Sequence, residues 1–395
     1  MQVRLRRLAL LGPLVFAMLA GCSALDKSQE RLASYSGEED SEKSMFEQFT
    51  DRVKDLTGNG PDPALARQLF EEGQGLYVQA VQARETDAEA SRSLFLSAAG
   101  KLEQAADRWP DSALEEESLH LLGECCFFAD RYSQAEEAFG RLVKRYPRTR
   151  YLDSVQARRF AVAQYWLQLD EQQHRPWYAV NLTERSRPVT DTFGHAVKIL
   201  DRIRLDDPTG KLADDATLAL ANAHFARGEF LKADEYYTDL RKTFPSSEHQ
   251  FRAHFLGLKA KLESYQGLEY SGKPLEEAAK LASQIRKQFP VEAQAERDYL
   301  ARAFAEIRYR QAEREWHRAQ RHDRRAEYGA ARIYYDTLAR DFRDTPFGQQ
   351  ASERLAAIAD RPDVPPQKLA WLVKMFPERE TVKPLLMTGP PTQRR

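Results

Sequence analysis

Side chains able to act as nucleophiles or metal ligands are few in this chain, and they do not gather. There are three cysteines, Cys22, Cys125 and Cys126. A thiol reacts readily where a positive, accessible setting favours the thiolate, and it holds metal in spaced sets. Cys125 and Cys126 are adjacent in a helix-patterned stretch, so their side chains diverge and cannot form an unstrained disulfide with each other. They read as small buried hydrophobes. His317 and His322 stand five apart, on different faces of a predicted helix, which makes a poor metal pair. Asp207-Pro208-Thr209-Gly210-Lys211-Leu212 contains a Gly-Lys pair, but a phosphate-binding loop needs glycine where Leu205 stands and Ser or Thr where Leu212 stands. The one segment left for a hydrolytic or metal site runs from Asp170 to Pro188, with His174, Trp177 and Tyr178. The sequence therefore predicts no enzyme, no metal site and no dissociable cofactor.

Cys22 is different because of what precedes it. Arg4, Arg6 and Arg7 lead into an apolar run from Leu8 to Ala20, the layout of a secretory signal. Thirteen residues containing Pro13 fall short of the ~20 that cross a bilayer. Leu19, Ala20, Gly21 and Cys22 resemble the bacterial lipobox, which implies cleavage before Cys22 and covalent lipid on its thiol. The alternative is ordinary secretory cleavage that leaves a cysteine nearby. Stable anchoring needs more than one acyl chain at ~0.8 kcal/mol per buried methylene, and the resemblance implies several, palmitate among them. Ser23 follows, where Asp would imply inner-membrane retention in enteric bacteria. The expected location is thus the outer membrane, facing the periplasm.

The elements behind this site divide into five segments: a signal peptide (1–21), a lipidated flexible tether (22–62), a first helical array (63–210), further helical repeats (211–360), and a capping helix with a disordered tail (361–395). Within the tether, Met45, Phe46, Phe49, Val53 and Leu56 recur at helical spacing, so Ser44 to Leu56 forms a short amphipathic helix that docks on the body or on the membrane surface. The body is 42% hydrophobic and 30% charged over the whole 395-residue chain, enough for a long buried array. Net charge is −1, falling to −4 when Arg4, Arg6 and Arg7 leave with the signal, so there is no general attraction to nucleic acid.

Aromatic-proline pairs punctuate the body at Trp109-Pro110, Tyr146-Pro147, Phe244-Pro245 and Phe289-Pro290, with Asp207-Pro208 as a variant. Leu122, Gly123, Ala135, Phe139 and Pro147 fall at the spacings of the tetratricopeptide pattern, and Leu220, Ala233, Tyr237 and Pro245 repeat the frame. Ala196 and Ile203 before Pro208, and Ala278 and Ile285 before Pro290, fit it as well. Glu229-Phe230 with Ala233, Tyr236, Tyr237, Leu240 and Phe244 recurs as Glu327-Tyr328 with Ala331, Tyr334, Tyr335, Leu338 and Phe342, with Arg343 in place of proline. The predicted fold is all-α, a tetratricopeptide-repeat right-handed superhelix (α-α solenoid) of five or six pairs; the alternative is a generic bundle with aromatic-proline helix stops. The apolar helix Lys368 to Phe376 is expected to cap it.

Lipobox, tether, the repeat opened by Arg108-Trp109-Pro110-Asp111-Ser112, and Glu184-Arg185-Ser186-Arg187 ahead of Thr190-Asp191 together resemble the BamD family, the tetratricopeptide lipoprotein of the outer-membrane β-barrel assembly machinery. The resemblance runs from about Pro63 to Ala216. Insertions at Ala83 to Ser93 and Asp170 to Pro188, and a long carboxy-terminal half, depart from it. It implies an Omp85-type barrel assembly protein and unfolded outer-membrane clients as partners. A scaffold for cell-envelope or peptidoglycan machinery is the alternative. Registration on the prolines places Glu117, His120, Glu124, Arg158, Asp215, Asn222 and Lys259 on the inner face of the first helices, as candidates for gripping an extended peptide or partner helix. The stretch Arg297 to Arg325, with nine arginines against five acids, reads as a docking face for an acidic partner or as a solvated helix.

Overall fold

The computed structural model describes residues 60–173, 178–366 and 369–375. Leu19, Ala20, Gly21, Cys22, the 44–56 segment, His174, Trp177 and the end from Thr388 lie outside the described residues. Every regular element among the described residues is a helix. The chain divides into two compact units, Met1–Leu122 and Gly123–Arg395.

In the first unit, α1 (Pro63–Ala83) and α2 (Ala88–Arg108) pack along their length. Asp62 and Asp87 cap them, each carboxylate accepting from two backbone amides of the first turn at 3.0–3.1 Å. Leu102 packs so tightly over Gly73 that a Cβ there would meet its Cγ at 2.8 Å. The stretch from Ala83 to Ser93, expected as an insertion, is the turn between these helices plus the start of α2. A third helix, α3 (Ala113–Phe128), carries the boundary between the units.

The second unit continues as antiparallel pairs, each packed on the next. After the end of α3 come α4 (Tyr132–Arg145), α5 (Leu152–Gln173), α6 (Thr192–Asp206), α7 (Ala213–Ala226), α8 (Phe230–Thr243), α9 (Gln250–Glu263) and α10 (Lys273–Gln288). The short α11 (Pro290–Ala295) leads into α12 (Arg297–Arg324), α13 (Tyr328–Asp341), α14 (Pro346–Ala357) and α15 (Ala370–Met375). The architecture is an all-α tetratricopeptide solenoid.

One packing rule explains why the second helix of each pair sits where it does. Ala135, Phe139 and Leu142 on α4 are wholly buried, and the same small-large-aliphatic triplet is buried on α8 (Ala233, Tyr237, Leu240) and α13 (Ala331, Tyr335, Leu338). Triplet spacing of four and three residues keeps all three on one helix face. The small member lets the crossing helix approach; the aromatic fills the gap. Gly123 serves that approach from the other side, since any Cβ there would collide with the Phe139 ring. These three helices, and α10 likewise, end on an aromatic residue that has left helical geometry, Tyr146, Phe244, Phe342 and Phe289, and three of the four precede a proline that disfavours helical geometry before it.

Buried cations bind successive pairs. Arg159 on α5, 1% exposed, donates from Nε and Nη2 to Glu136 of α4, both at 2.9 Å, and from Nη1 to Asp206 of α6 at 3.1 Å. Burial works to lower its pKa, but the two carboxylates outweigh burial and the net shift is upward. Lys261 on α9 repeats the device, reaching Asp234 of α8 at 2.7 Å and Glu277 of α10 at 2.6 Å.

The apolar helix expected at Lys368 to Phe376 exists as α15, but it leaves Trp371 and Met375 about 60% exposed. The last pair is instead covered by α14 and the turn after it, where Ala351 and Ile358 join the buried cluster around Tyr335. A cap has to bring apolar side chains to the open core, and α14 does so.

His224 and His254 are buried, and burial, the largest influence on each, holds its pKa below the ordinary 6.5. Glu229, 3.0 Å from His224 Nδ1, opposes this and loses to desolvation. A histidine kept neutral by folding contributes stability in full above about 6.5, and that stability is lost as pH falls below it, because the unfolded chain takes up the extra protons. The melting temperature should therefore decline between pH 7.5 and 5, before the carboxylates titrate. A melting temperature that stays level or rises across that window in calorimetry would contradict the account.

Candidate functional site: a basic groove between second helices

The inner-face candidates lie on first helices, as expected, but most are engaged in packing. Glu124 is buried and pairs bidentately with Arg158 across α3 and α5, at 2.8 and 2.9 Å. Arg158 also lies over the Phe127 and Phe128 rings, 4.7 and 4.9 Å from their centroids. Asp215 on α7 meets His249 Nε2, just ahead of α9, at 2.7 Å. Asn222 accepts from the Tyr237 hydroxyl at 2.7 Å, an interaction inside one pair. Lys259 sits over Phe255 and Tyr299, joining α9 to α12. Glu117 and His120 are half-buried on α3. Within the second unit Glu124, Arg158, Asp215 and Lys259 stitch neighbouring first helices together and Asn222 ties its own pair, which corrects the expectation of a row of waiting grips.

The arginines from Arg297 to Arg325 behave similarly. Arg308 bonds Asp344 through Nε at 2.7 Å, Arg314 donates to the Tyr270 carbonyl at 2.6 Å, and Arg310 and Arg318 pair with Glu306 and Glu315 on their own helix. Of the two readings, these bonds favour the solvated helix of an extended last repeat over a docking face. His322 pairs with Glu327 at 2.6 Å and stacks on Tyr334, so it too is a packing residue. Lys211 of the Gly-Lys pair reaches Asp153 at 2.7 Å on the surface.

Cys125 and Cys126 are buried free thiols, and burial pushes the Cys125 thiol well above its ordinary range. Among the described residues no group of three His, Cys, Asp or Glu is placed to hold a metal ion.

A different surface has the form of a site. Between α4 and α6 runs a groove of about 1150 Å³, floored by Arg159, Trp166 and Ile199 and rimmed by residues 185–190. Part of that rim closes the 170–188 segment, and its described residues from 178 onward lie outside the helices, so no helical period marks them in the sequence. Asn181 organises it. Its Nδ2 donates to the carbonyls of Glu184, Arg187 and Pro188, its Oδ1 accepts from the Glu184 amide, and its own amide donates to Val189. Trp166 Nε1 donates to the Ser186 carbonyl at 2.8 Å and ties the loop to α5. Arg187 is buried beneath, with Nη1 on Gln173 Oε1 at 2.8 Å and Nε 2.7 Å from Glu184. Asp191, in the left-handed region at φ 46°, turns the chain into α6 and caps it through the Gly194 amide.

Charge distinguishes this groove from the rest of the surface. Eight lysines and arginines line it against three carboxylates, in a chain whose net charge is −1. Of the three acids, Glu136 and Asp206 are already held by Arg159.

Known families bear on the same stretch. Residues 183–361, from the groove's rim loop to the turn after α14, match the model of a family described as outer membrane lipoprotein, and residues 117–149 match a tetratricopeptide repeat. Over these stretches the chain is similar to BamD-like tetratricopeptide-repeat lipoproteins. No curated protein matches the sequence. The matched stretch overlaps the Pro63 to Ala216 region of resemblance only over 183–216 and extends through the carboxy-terminal half that was read as repeats alone. In this chain no helix of the described residues is long and apolar enough to cross a membrane.

Proposed function

We propose that the protein is a non-catalytic scaffold of the machinery that assembles β-barrel proteins into the outer membrane. It is held to that membrane by lipid on Cys22 and faces the periplasm. It binds an Omp85-type barrel assembly protein, together with unfolded outer-membrane clients. The observation that carries this reading is the match of residues 183–361 to outer membrane lipoproteins on a chain built of tetratricopeptide pairs. Such arrays present long surfaces built from rigid helices, suited to holding other proteins. The lipobox-like Leu19-Ala20-Gly21-Cys22 supplies the means of attachment.

Crosslinking in intact cells followed by affinity purification from membranes tests the proposal. An Omp85-type protein should be among the most enriched partners. A reproducible set of partners without one would sink the reading, and peptidoglycan synthases or Tol-type proteins in its place would establish an envelope scaffold of another kind.

A further inference from the structure

We propose that the α4–α6 groove is a docking site for an acidic helical segment of a protein partner. The inference does not require that partner to be an Omp85-type protein. Three cations from three elements, Lys144 on α4, Arg185 on the rim loop and Lys198 on α6, line the groove, are exposed, and have no carboxylate partner among the described residues. Of the groove's three carboxylates, Arg159 holds Glu136 and Asp206 beneath, which leaves Glu137 as the one exposed acid in the lining against these cations. Arg202 adds a fourth positive group that is 60% exposed and only 3.5 Å from Glu136 at its nearest.

Shape and polarity select among acidic ligands. Two turns of an α-helix, ~11 Å long and ~10 Å across with side chains, occupy on the order of 850 Å³, and the groove holds about 1150 Å³. Val189 stands 60% exposed among its cations, while Val143 and Ile199 line the groove as buried apolar side chains. An apolar lining edged by cations fits an amphipathic helix whose apolar stripe faces the groove and whose Asp or Glu residues flank it. A lipid headgroup or a free phosphate has no use for the apolar positions, and nucleic acid would call for aromatic stacking surfaces that this groove does not expose. Trp166 is 1% exposed and already bonded to the loop. The rim loop is fixed by Asn181 and Trp166 before any partner arrives, so little ordering cost falls on binding.

The test places a photo-crosslinking amino acid at Lys198 in the full-length protein in cells, with exposed Lys287 on α10 as a control position. The crosslinked partner peptide is mapped by mass spectrometry. The expected product from position 198, absent from position 287, is a protein segment with an excess of Asp and Glu at helical spacing. Its yield should fall several-fold on raising ionic strength in isolated membranes, and again in the Lys144→Glu/Arg185→Glu background. These substitutions are at exposed side chains, so an unchanged melting curve will show that the fold persists. Crosslinks to lipid, to a neutral or basic segment, or at a yield indifferent to both charge reversals would overturn the proposal. Because the readout is the chemistry of the captured segment, the site stands or falls separately from the identity of the partner protein.

Discussion

Replacing Arg159 with alanine should be among the most destabilising single changes in the second unit, lowering its stability by about 3 kcal/mol. The side chain is 1% exposed and ties α4, α5 and α6 through Glu136 and Asp206. Removing it deletes the packing of a long aliphatic stem and leaves two carboxylates facing each other without their shared cation. Glu136 and Asp206 retain 14% and 33% exposure, so solvent relieves part of the penalty, which places the loss at the low end of the ~3–5 kcal/mol seen on breaking buried pairs. For a unit of this size the melting temperature should drop by roughly 6–12 °C, at ~2–4 °C per kcal/mol. A double variant separates charge from packing. Arg159→Met with Glu136→Gln keeps the volume and removes one stranded charge, so it should recover much of the loss. If Arg159→Ala melts like the parent protein in calorimetry, the buried cation is not what joins these helices.

The same residue shows why the fold was legible in the sequence and the site was not. Ala135, Phe139 and Leu142 announce their burial by spacing, because a helix face has a fixed period and apolar side chains on it must be covered. Arg159 carries no such mark: nothing in its neighbourhood distinguishes a buried ion pair from a solvated one, since its partners lie 23 and 47 residues away. Glu124 and Arg158 were placed correctly on first helices, yet their pairing spans 34 residues and depends on how those helices meet. The groove is still harder to foresee, because it is assembled from α4, α6 and a loop whose conformation rests on one asparagine's hydrogen bonds.

A regularity did lie in the sequence beneath the uneven proline spacing. Pro110 and Pro208 stand 98 positions apart, as do Pro147 and Pro245, and Arg343 follows Pro245 by the same interval. The structure gives that interval physical content. Asp130, Gly228 and Ala326 share it, and all three take positive φ, 58°, 74° and 59°, at the turn between the helices of a pair. Glycine adopts that geometry freely and aspartate tolerates it, whereas alanine is strained there. The position therefore follows from the turn that joins the two helices, whichever residue occupies it. His224, Glu229 and Tyr236 recur at the same interval as His322, Glu327 and Tyr334, and both sets stack the imidazole on the phenol ring, with centroids 5.4 Å apart.

Replacing Cys22 with serine, behind an ordinary cleavable secretory signal in place of residues 1–21, should move nearly all of the protein from the membrane fraction to the soluble fraction. The signal must be exchanged as well, because an uncut Leu8 to Ala20 run would itself hold the chain to a membrane and hide the result. The size of the effect follows from what is left once lipid is gone. No helix of the described residues is long and apolar enough to span a bilayer, and the mature chain's charge near −4 gives no attraction to anionic lipid. Two or more acyl chains, at ~0.8 kcal/mol per buried methylene, far exceed either contribution. Melting should be unchanged, since Cys22 lies some forty residues before the first helix of the described residues. That same stretch sets the consequence for binding. Forty residues reach at most ~140 Å at ~3.5 Å each, so the anchored groove samples only a shell next to the bilayer. The released protein loses that confinement, and crosslinking from position 198 to a membrane-bound partner should fall with it, although the groove itself is intact. A Cys22→Ser protein that resists carbonate extraction would instead place the anchor elsewhere in the chain.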